Sequence, residues 1–166
     1  MIVIIWGVAG VGKTTIGELL ARELGWKFYD ADEFHPAANI EKMNRGEPLT
    51  DEDRQPWLKK LRERIEGSFA VNENAVLACS ALKKKYRDQL RVNREVKFVF
   101  LRAERARILE QLKTRRGHFF DPKLLESQFA DLEEPKSEDD SITVELSKTP
   151  AATVEKIETS LRKAPS

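Results

Sequence analysis

The chain has 166 residues, with 29 Lys and Arg against 28 Asp and Glu and a formal net charge of +1. That balance leaves no electrostatic footprint for nucleic acid or an anionic membrane surface, and no apolar stretch approaches the ~20 residues of a membrane span. The length suits a single domain with a real core. Cys79 is the only cysteine, which excludes an intrachain disulfide and fits a reducing, cytoplasmic setting.

Ile2-Val3-Ile4-Ile5-Trp6 is a continuous apolar run, the pattern of a strand buried on both faces of a parallel sheet. No basic-then-apolar leader precedes it, so no signal peptide is expected. It runs directly into Gly7-Val8-Ala9-Gly10-Val11-Gly12-Lys13-Thr14, which fits G-x-x-x-x-G-K-[ST] at every fixed position. Ile16, Leu19, Leu20 and Leu24 then share one helical stripe, ended by Gly25. Lys27-Phe28-Tyr29 predicts a short second strand ending in Asp30-Ala31-Asp32. A loop through Glu33-Phe34-His35-Pro36 and a short helix around Asn39 to Arg45 follow. Thr50 and Asp53 have the spacing of a capping box, ahead of a long helix with Trp57, Leu58, Leu61, Ile65 and Phe69 inward.

Val76 to Cys79 predicts a third strand, and Leu82 to Leu90 a basic helix carrying Lys83, Lys84, Lys85 and Arg87. A fourth strand spans Val96 to Leu101, and residues 103–114 form a helix that leads into Arg115-Arg116-Gly117-His118. Asp121-Pro122 starts another helix, with Leu124, Leu125 and Phe129 as its apolar side. After a polar loop come a fifth strand at Ile142 to Val144 and a last helix opened by Thr149-Pro150. The alternation predicts an α/β protein with the P-loop NTPase fold, a five-stranded parallel sheet with helices on both faces. A single kinase domain over 1–166 is expected, with an acceptor-covering helical segment at about 33–72 and a short lid at about 115–121.

Phosphate chemistry explains the glycine loop. Residues Gly7, Val8, Ala9, Gly10, Val11 and Gly12 can turn tightly and aim successive N–H groups at one anion. The helix opening at Lys13 adds its positive end. Lys13 suits the β- and γ-phosphates of ATP, and Thr14 offers a hydroxyl to Mg²⁺. Transfer to an alcohol also needs a metal anchor and a carboxylate for the alcohol proton. Asp30 is assigned to the metal side and Asp32 to the acceptor hydroxyl, against the alternative of two solvated loop acids or a helix cap.

His35 and Arg54 lie on the segment that would cover the acceptor. Arg54 falls in the first turn of a helix, where a cation opposes the dipole. An anionic ligand, specifically a carboxylate gripped bidentately, accounts for it; a weak surface pair with Asp51 or Glu52 is the alternative. Ser80 follows the third strand, at the sheet end where ligands sit. Of the basic run only Lys83, nearest the strand, is a candidate for substrate contact, the rest reading as a solvated face. Arg115, Arg116 and His118 around Gly117 suit a lid that brings positive charge to the transferring group and excludes water, or else a basic surface turn.

Four further blocks are more specific than the glycine loop. They are His35-Pro36-Ala37-Ala38-Asn39-Ile40-Glu41-Lys42-Met43, and Gly46 through Leu58 with Thr50-Asp51-Glu52-Asp53-Arg54 at its centre. The others are Ala78-Cys79-Ser80-Ala81-Leu82-Lys83 with Tyr86-Arg87, and Gly117-His118-Phe119-Phe120 with Ser127-Gln128-Phe129 and Leu132-Glu133-Glu134-Pro135. On these the chain resembles the gluconokinases, within the shikimate kinase and adenylate kinase-like group, over nearly its whole length. The resemblance implies ATP- and Mg²⁺-dependent phosphorylation of D-gluconate at its 6-hydroxyl, giving 6-phospho-D-gluconate and ADP and feeding the pentose phosphate route. It also implies a cytoplasmic homodimer. By analogy Asp32 meets the acceptor hydroxyl and Arg54 the substrate carboxylate, while His118 and Gln128 fall in family blocks on the substrate side. Gln111 stands one helical turn before Arg115, where family members often carry an arginine, so Arg115 or Arg116 must supply the lid charge. A kinase for another hydroxyl acceptor is the second possibility. A nucleotide-binding module without catalysis is disfavoured by Asp32, His35 and Arg54, and a polynucleotide kinase by the net charge.

Overall fold

Strand β1 (Ile2–Trp6) is buried at all five positions, as a wholly apolar strand must be when both faces of its sheet are covered. In the computed structural model, which describes residues 1–114 and 122–165, β1 is the centre of a five-stranded sheet. The other strands are β2 (Lys27–Asp30), β3 (Ala75–Cys79), β4 (Val96–Arg102) and β5 (Ser141–Glu145). Their order is β2-β3-β1-β4-β5, and every pairing is parallel. Trp6 is opposite Cys79 on one side and Phe100 on the other, so three carboxyl ends align. The chain leaves β1 for the β2 edge, returns through β3, then crosses to β4. The direction of winding therefore reverses beside β1, where such sheets open a crevice.

The helices are α1 (Lys13–Leu24), α2 (Ala37–Asn44), α3 (Asp51–Ala70), α4 (Lys84–Leu90), α5 (Arg105–Thr114), α6 (Pro122–Asp131) and α7 (Pro150–Lys163). Alternate residues of β1 feed two cores. Ile2, Ile4 and Trp6 pack with Trp57, Leu58, Leu61 and Ile65 of α3 and with Tyr86 and Leu90 of α4. Val3 and Ile5 face Ile16 and Leu20 of α1, Ile108 of α5, Leu125 of α6 and Ile157 of α7. Each fully buried aliphatic side chain contributes about 1.5–3 kcal/mol, so the helices are held on both faces, as expected of a doubly wound sheet.

Three local features refine the expectation from sequence. The stretch after β2, expected as a loop, is one turn of 3₁₀-helix over Ala31–Phe34. It forms because Asp30 caps it, accepting from the Asp32 N–H at 2.9 Å, and because the buried Trp57 indole donates to the Ala31 carbonyl at 2.7 Å. The capping box of α3 is complete in both directions, Asp53 N–H to Thr50 Oγ1 at 3.1 Å and Thr50 N–H to Asp53 Oδ2 at 2.9 Å. Arg87, expected on a solvated basic face, is buried. Its guanidinium lies 3.9 Å from the Trp6 ring centroid and donates to the carbonyls of Ala81, Leu82 and Glu133. A flat, weakly hydrated guanidinium can stack and fork in this way, and here it ties the β3–α4 turn to the end of α6. The lid at 115–121, with Arg115, Arg116 and His118, lies outside the described residues.

Candidate active site

The glycine loop connects β1 to α1 at the switch point. Gly10 and Gly12 adopt φ +81° and +100°, conformations that side chains resist. A Cβ on Gly10 would also come within 2.6 Å of Leu112 Cγ at the end of α5. The loop can therefore keep this shape only with glycine there, and the resulting cradle at the start of α1 suits phosphate. Lys13 Nζ donates back to the Val8 carbonyl at 2.9 Å, folding its ammonium over the loop. The Thr14 hydroxyl donates to Asp30 Oδ2 at 3.3 Å, so the two residues expected to serve the metal are adjacent. No group of three or more metal-ligating side chains exists among the described residues. A hard cation here would take oxygens from Thr14 and Asp30, directly or through water, and complete its shell with phosphate, the pattern of Mg²⁺ in nucleotide sites.

A cleft of about 820 Å³ opens over the loop, in the size range of small-molecule sites. Lys13, Thr14, Asp30, Asp32, His35 and Arg54 all line it, although Arg54 is 24 residues from Asp30 in sequence. Ser80 and Gln128 line it too, as does Gln111. The expected donor and acceptor halves thus share one cavity.

His35 is held by two neighbours. Its ring stacks on Trp57 with centroids 4.4 Å apart and an interplanar angle of 10°. Asn39 Nδ2 approaches its Nδ1 at 3.2 Å and also donates to the Asp53 carbonyl at 2.8 Å. The carbonyl accepts only from a nitrogen, which fixes the Asn39 amide and makes His35 Nδ1 an acceptor. The ring proton then resides on Nε2. Burial lowers the His35 pKa to about 4, and the nearby Arg54 charge adds to the effect. The residue is a neutral donor at physiological pH.

Arg54 does not pair with Asp51 or Glu52. It donates to the Tyr86 hydroxyl at 3.0 Å and to Asp131 Oδ2 at 3.3 Å. The Tyr86 hydroxyl donates in turn to Asp51, which also receives Lys83 and Lys85. These donors hold the Asp51 carboxyl well below the usual range, Lys85 contributing most. Burial and the Asp51 bond push the Tyr86 hydroxyl up to about 12. Lys83, expected to touch substrate, is instead turned to Asp51 at 2.9 Å and lies outside the cleft lining. Two negative carboxylates, Asp51 and Asp131, attract its ammonium away from the strand end. Gln128 reaches the glycine loop, where Oε1 accepts from the Ala9 N–H at 2.6 Å.

Tyr86 and Asp131 went unremarked as site residues in sequence. Tyr86 falls in one of the blocks that carry the family resemblance, with no role attached to it there. Asp131 is one acid in an acid-rich stretch and carries no signal of its own. Cys79 is fully buried, and burial pushes the thiol up to about 12.

A strand, a glycine-bent loop and a helix at the switch point of a parallel sheet, with Lys13 and Thr14 at the loop's end, define a P-loop kinase. Residues 9–162 match the shikimate kinase (SKI) family, and the chain belongs to it. A gluconokinase of Gluconobacter oxydans is 41% identical over 93% of this chain and 87% of its own. A probable gluconokinase of Xenopus tropicalis is 40% identical over 95% of this chain and 92% of its own. The crystal structure of a gluconokinase from Sinorhizobium meliloti superposes with a TM-score of 0.86 at 39% identity, covering 98% of this chain and 92% of the other. The chain is a kinase that uses ATP. No described helix is long and apolar enough to cross a membrane.

Proposed function

We propose that the protein phosphorylates D-gluconate at its 6-hydroxyl, with ATP as donor, giving 6-phospho-D-gluconate and ADP. The observation that carries this is the meeting of Lys13, Asp32, His35 and Arg54 in one cleft, together with the kinship to gluconokinases at about 40% identity. A hexonate presents a carboxylate at one end and a primary hydroxyl at the other. Arg54 matches the first group and Asp32 the second.

In this reading the loop N–H groups and Lys13 bind the phosphates. Thr14 and Asp30 hold Mg²⁺, which when bound neutralises phosphate charge. Asp32 accepts the proton of the 6-hydroxyl as its oxygen bonds to the γ-phosphorus and the β,γ-bridging bond breaks, releasing ADP. His35 donates Nε2–H to an acceptor oxygen, and Arg54 orients the carboxylate. The 33–72 segment covers the acceptor, and Arg115, Arg116 and His118 supply the closing lid. Ser80 offers a further hydroxyl to the sugar acid. A cytoplasmic homodimer is the expected form.

A coupled assay of ADP release with ATP, Mg²⁺ and a panel of gluconate, shikimate and other polyol acids tests the substrate. Turnover is expected with gluconate. Silence with gluconate beside good turnover of another acid would reassign the acceptor and leave the kinase intact.

A further inference from the structure

Gln128 stands in the second half of α6 and reaches the rim of the phosphate loop. Ala9 and Gly10 form that rim, half-buried between the fully buried Val8 and Val11. The Ala9 N–H donates to Gln128 Oε1 at 2.6 Å. Because an N–H can bond only the oxygen of a carboxamide, the orientation of the planar amide is settled. Its NH₂ group points away from Ala9 and has no partner among the described residues. Gln128 lines the same cleft as Lys13 and Asp32. The helix that carries it is anchored at both sides of the glutamine, by buried Leu125 and by Asp131 on Arg54.

The motif assigns the inner phosphates to the N-terminus of α1, at Gly12 to Thr14. On the proposed function the terminal phosphoryl group runs from there toward Asp32, along the cleft that Ala9, Gly10 and Gln128 also line. We propose that Gln128 is a catalytic residue of the donor half: Oε1 remains on Ala9 while Nε2–H donates to the terminal phosphoryl group of ATP during transfer. This deepens the kinase function proposed above. As the β,γ-bridging bond breaks and the acceptor oxygen bonds to phosphorus, negative charge spreads over the equatorial oxygens. A donor already aimed by its own oxygen meets that charge without reorganisation. Glutamine is the fitting residue, because a glutamate would accept from Ala9 equally well and repel the phosphates.

The test compares Gln128→Glu and Gln128→Ala with the parent. Turnover is measured at saturating ATP and gluconate. Affinities for ADP and for an imido analogue of ATP are measured by calorimetry with Mg²⁺ and no acceptor. Both variants are expected to lose about tenfold to a hundredfold in kcat. ADP affinity should stay within about threefold, while Gln128→Glu weakens the ATP analogue more than ADP. Parental turnover by Gln128→Glu with an impaired Gln128→Ala would overturn the proposal, since Gln128 would then merely dock α6 through its oxygen. Tighter binding of both nucleotides by Gln128→Ala would also overturn it, making Oε1 a placeholder that phosphate displaces. An unchanged analogue-to-ADP ratio in Gln128→Glu does the same. The binding measurements contain no sugar acid, so a failure of gluconate as substrate leaves them decisive.

Discussion

The guanidinium of Arg54 lies 3.3 Å from the carboxylate of Asp131, joining the first turn of α3 to the last residue of α6. On the proposed function, a substrate carboxylate at Arg54 shares that guanidinium with Asp131 or displaces it. Arg54→Ala should raise KM for gluconate about tenfold to a hundredfold, the range for a hydrogen bond to a charged group, with ADP affinity unchanged. Asp131→Asn should lower that KM, because it removes the competing charge and keeps the shape. Steady-state kinetics of both variants check this; a rise in KM for Asp131→Asn would make Asp131 an orienting partner instead.

Asp30 accepts from the Thr14 hydroxyl and from the Asp32 N–H, and Asp32 lines the same cleft, so the proposed roles divide between metal for Asp30 and acceptor hydroxyl for Asp32. Asp32→Asn should depress kcat by about a hundredfold or more while ATP binding changes little. Asp30→Asn should instead raise the Mg²⁺ concentration needed for half-maximal turnover. Magnesium titrations of both variants separate the roles. The division is reversed if Asp32→Asn shifts the magnesium requirement and spares turnover.

Lys13 folds over the loop onto the Val8 carbonyl and lines the cleft, which puts its charge at the proposed phosphate site. Lys13→Ala should still unfold cooperatively and lose about a hundredfold to a thousandfold in turnover. Calorimetric melting and the coupled assay check both halves; parental turnover would remove Lys13 from the mechanism.

His35 carries a pH dependence of stability. Its pKa in the fold is about 4, against an ordinary value of 6.5, because burial disfavours the charged ring. Between these values the unfolded chain binds more protons than the native one, so stability rises with pH through the window. It is fully present above pH 6.5 and falls as pH drops toward 4. Urea midpoints at pH 7 and pH 5 should differ less in His35→Asn than in the parent. Asp53 is held down to about 2, chiefly by Lys42, and so titrates below this window.

Trp57 is buried and its indole N–H donates to Ala31 O at 2.7 Å. Trp57→Phe keeps most of the apolar contact but removes that hydrogen bond, at a cost of about 0.5–1.5 kcal/mol. The turn carrying Asp32 should loosen as well. Denaturant unfolding measures the first effect, and a fall in kcat without loss of ADP binding marks the second.

Most of the architecture was legible in sequence because it rests on short-range physics. The all-apolar β1 run, the helical stripe of Ile16 and Leu20, the Thr50–Asp53 cap and the Pro150 start each require only neighbours in the chain. The 3₁₀ turn at Ala31–Phe34 was not legible, because part of its support is a tryptophan 26 residues away that donates to the Ala31 carbonyl. Arg87 differs from its expected solvated face for the same kind of reason: its basic neighbours point to solvent, whereas Trp6 and the Glu133 carbonyl, both far away in sequence, hold it in the interior.

The glycine loop, the acids after β2 and Arg54 follow from residue type and spacing, since phosphate binding and proton transfer demand particular groups at particular offsets. Sequence alone thus determined a phosphate-binding loop and the donor half of a kinase. The partners of those groups were decided by tertiary structure. That Arg54 is shared by Tyr86 and Asp131, that Lys83 turns to Asp51, and that Gln128 clasps Ala9 depend on α3, α4 and α6 converging over the sheet. Electrostatic and hydrogen-bond partners are chosen by distance in space, and no local pattern encodes which of many acids and amides will come within 3 Å.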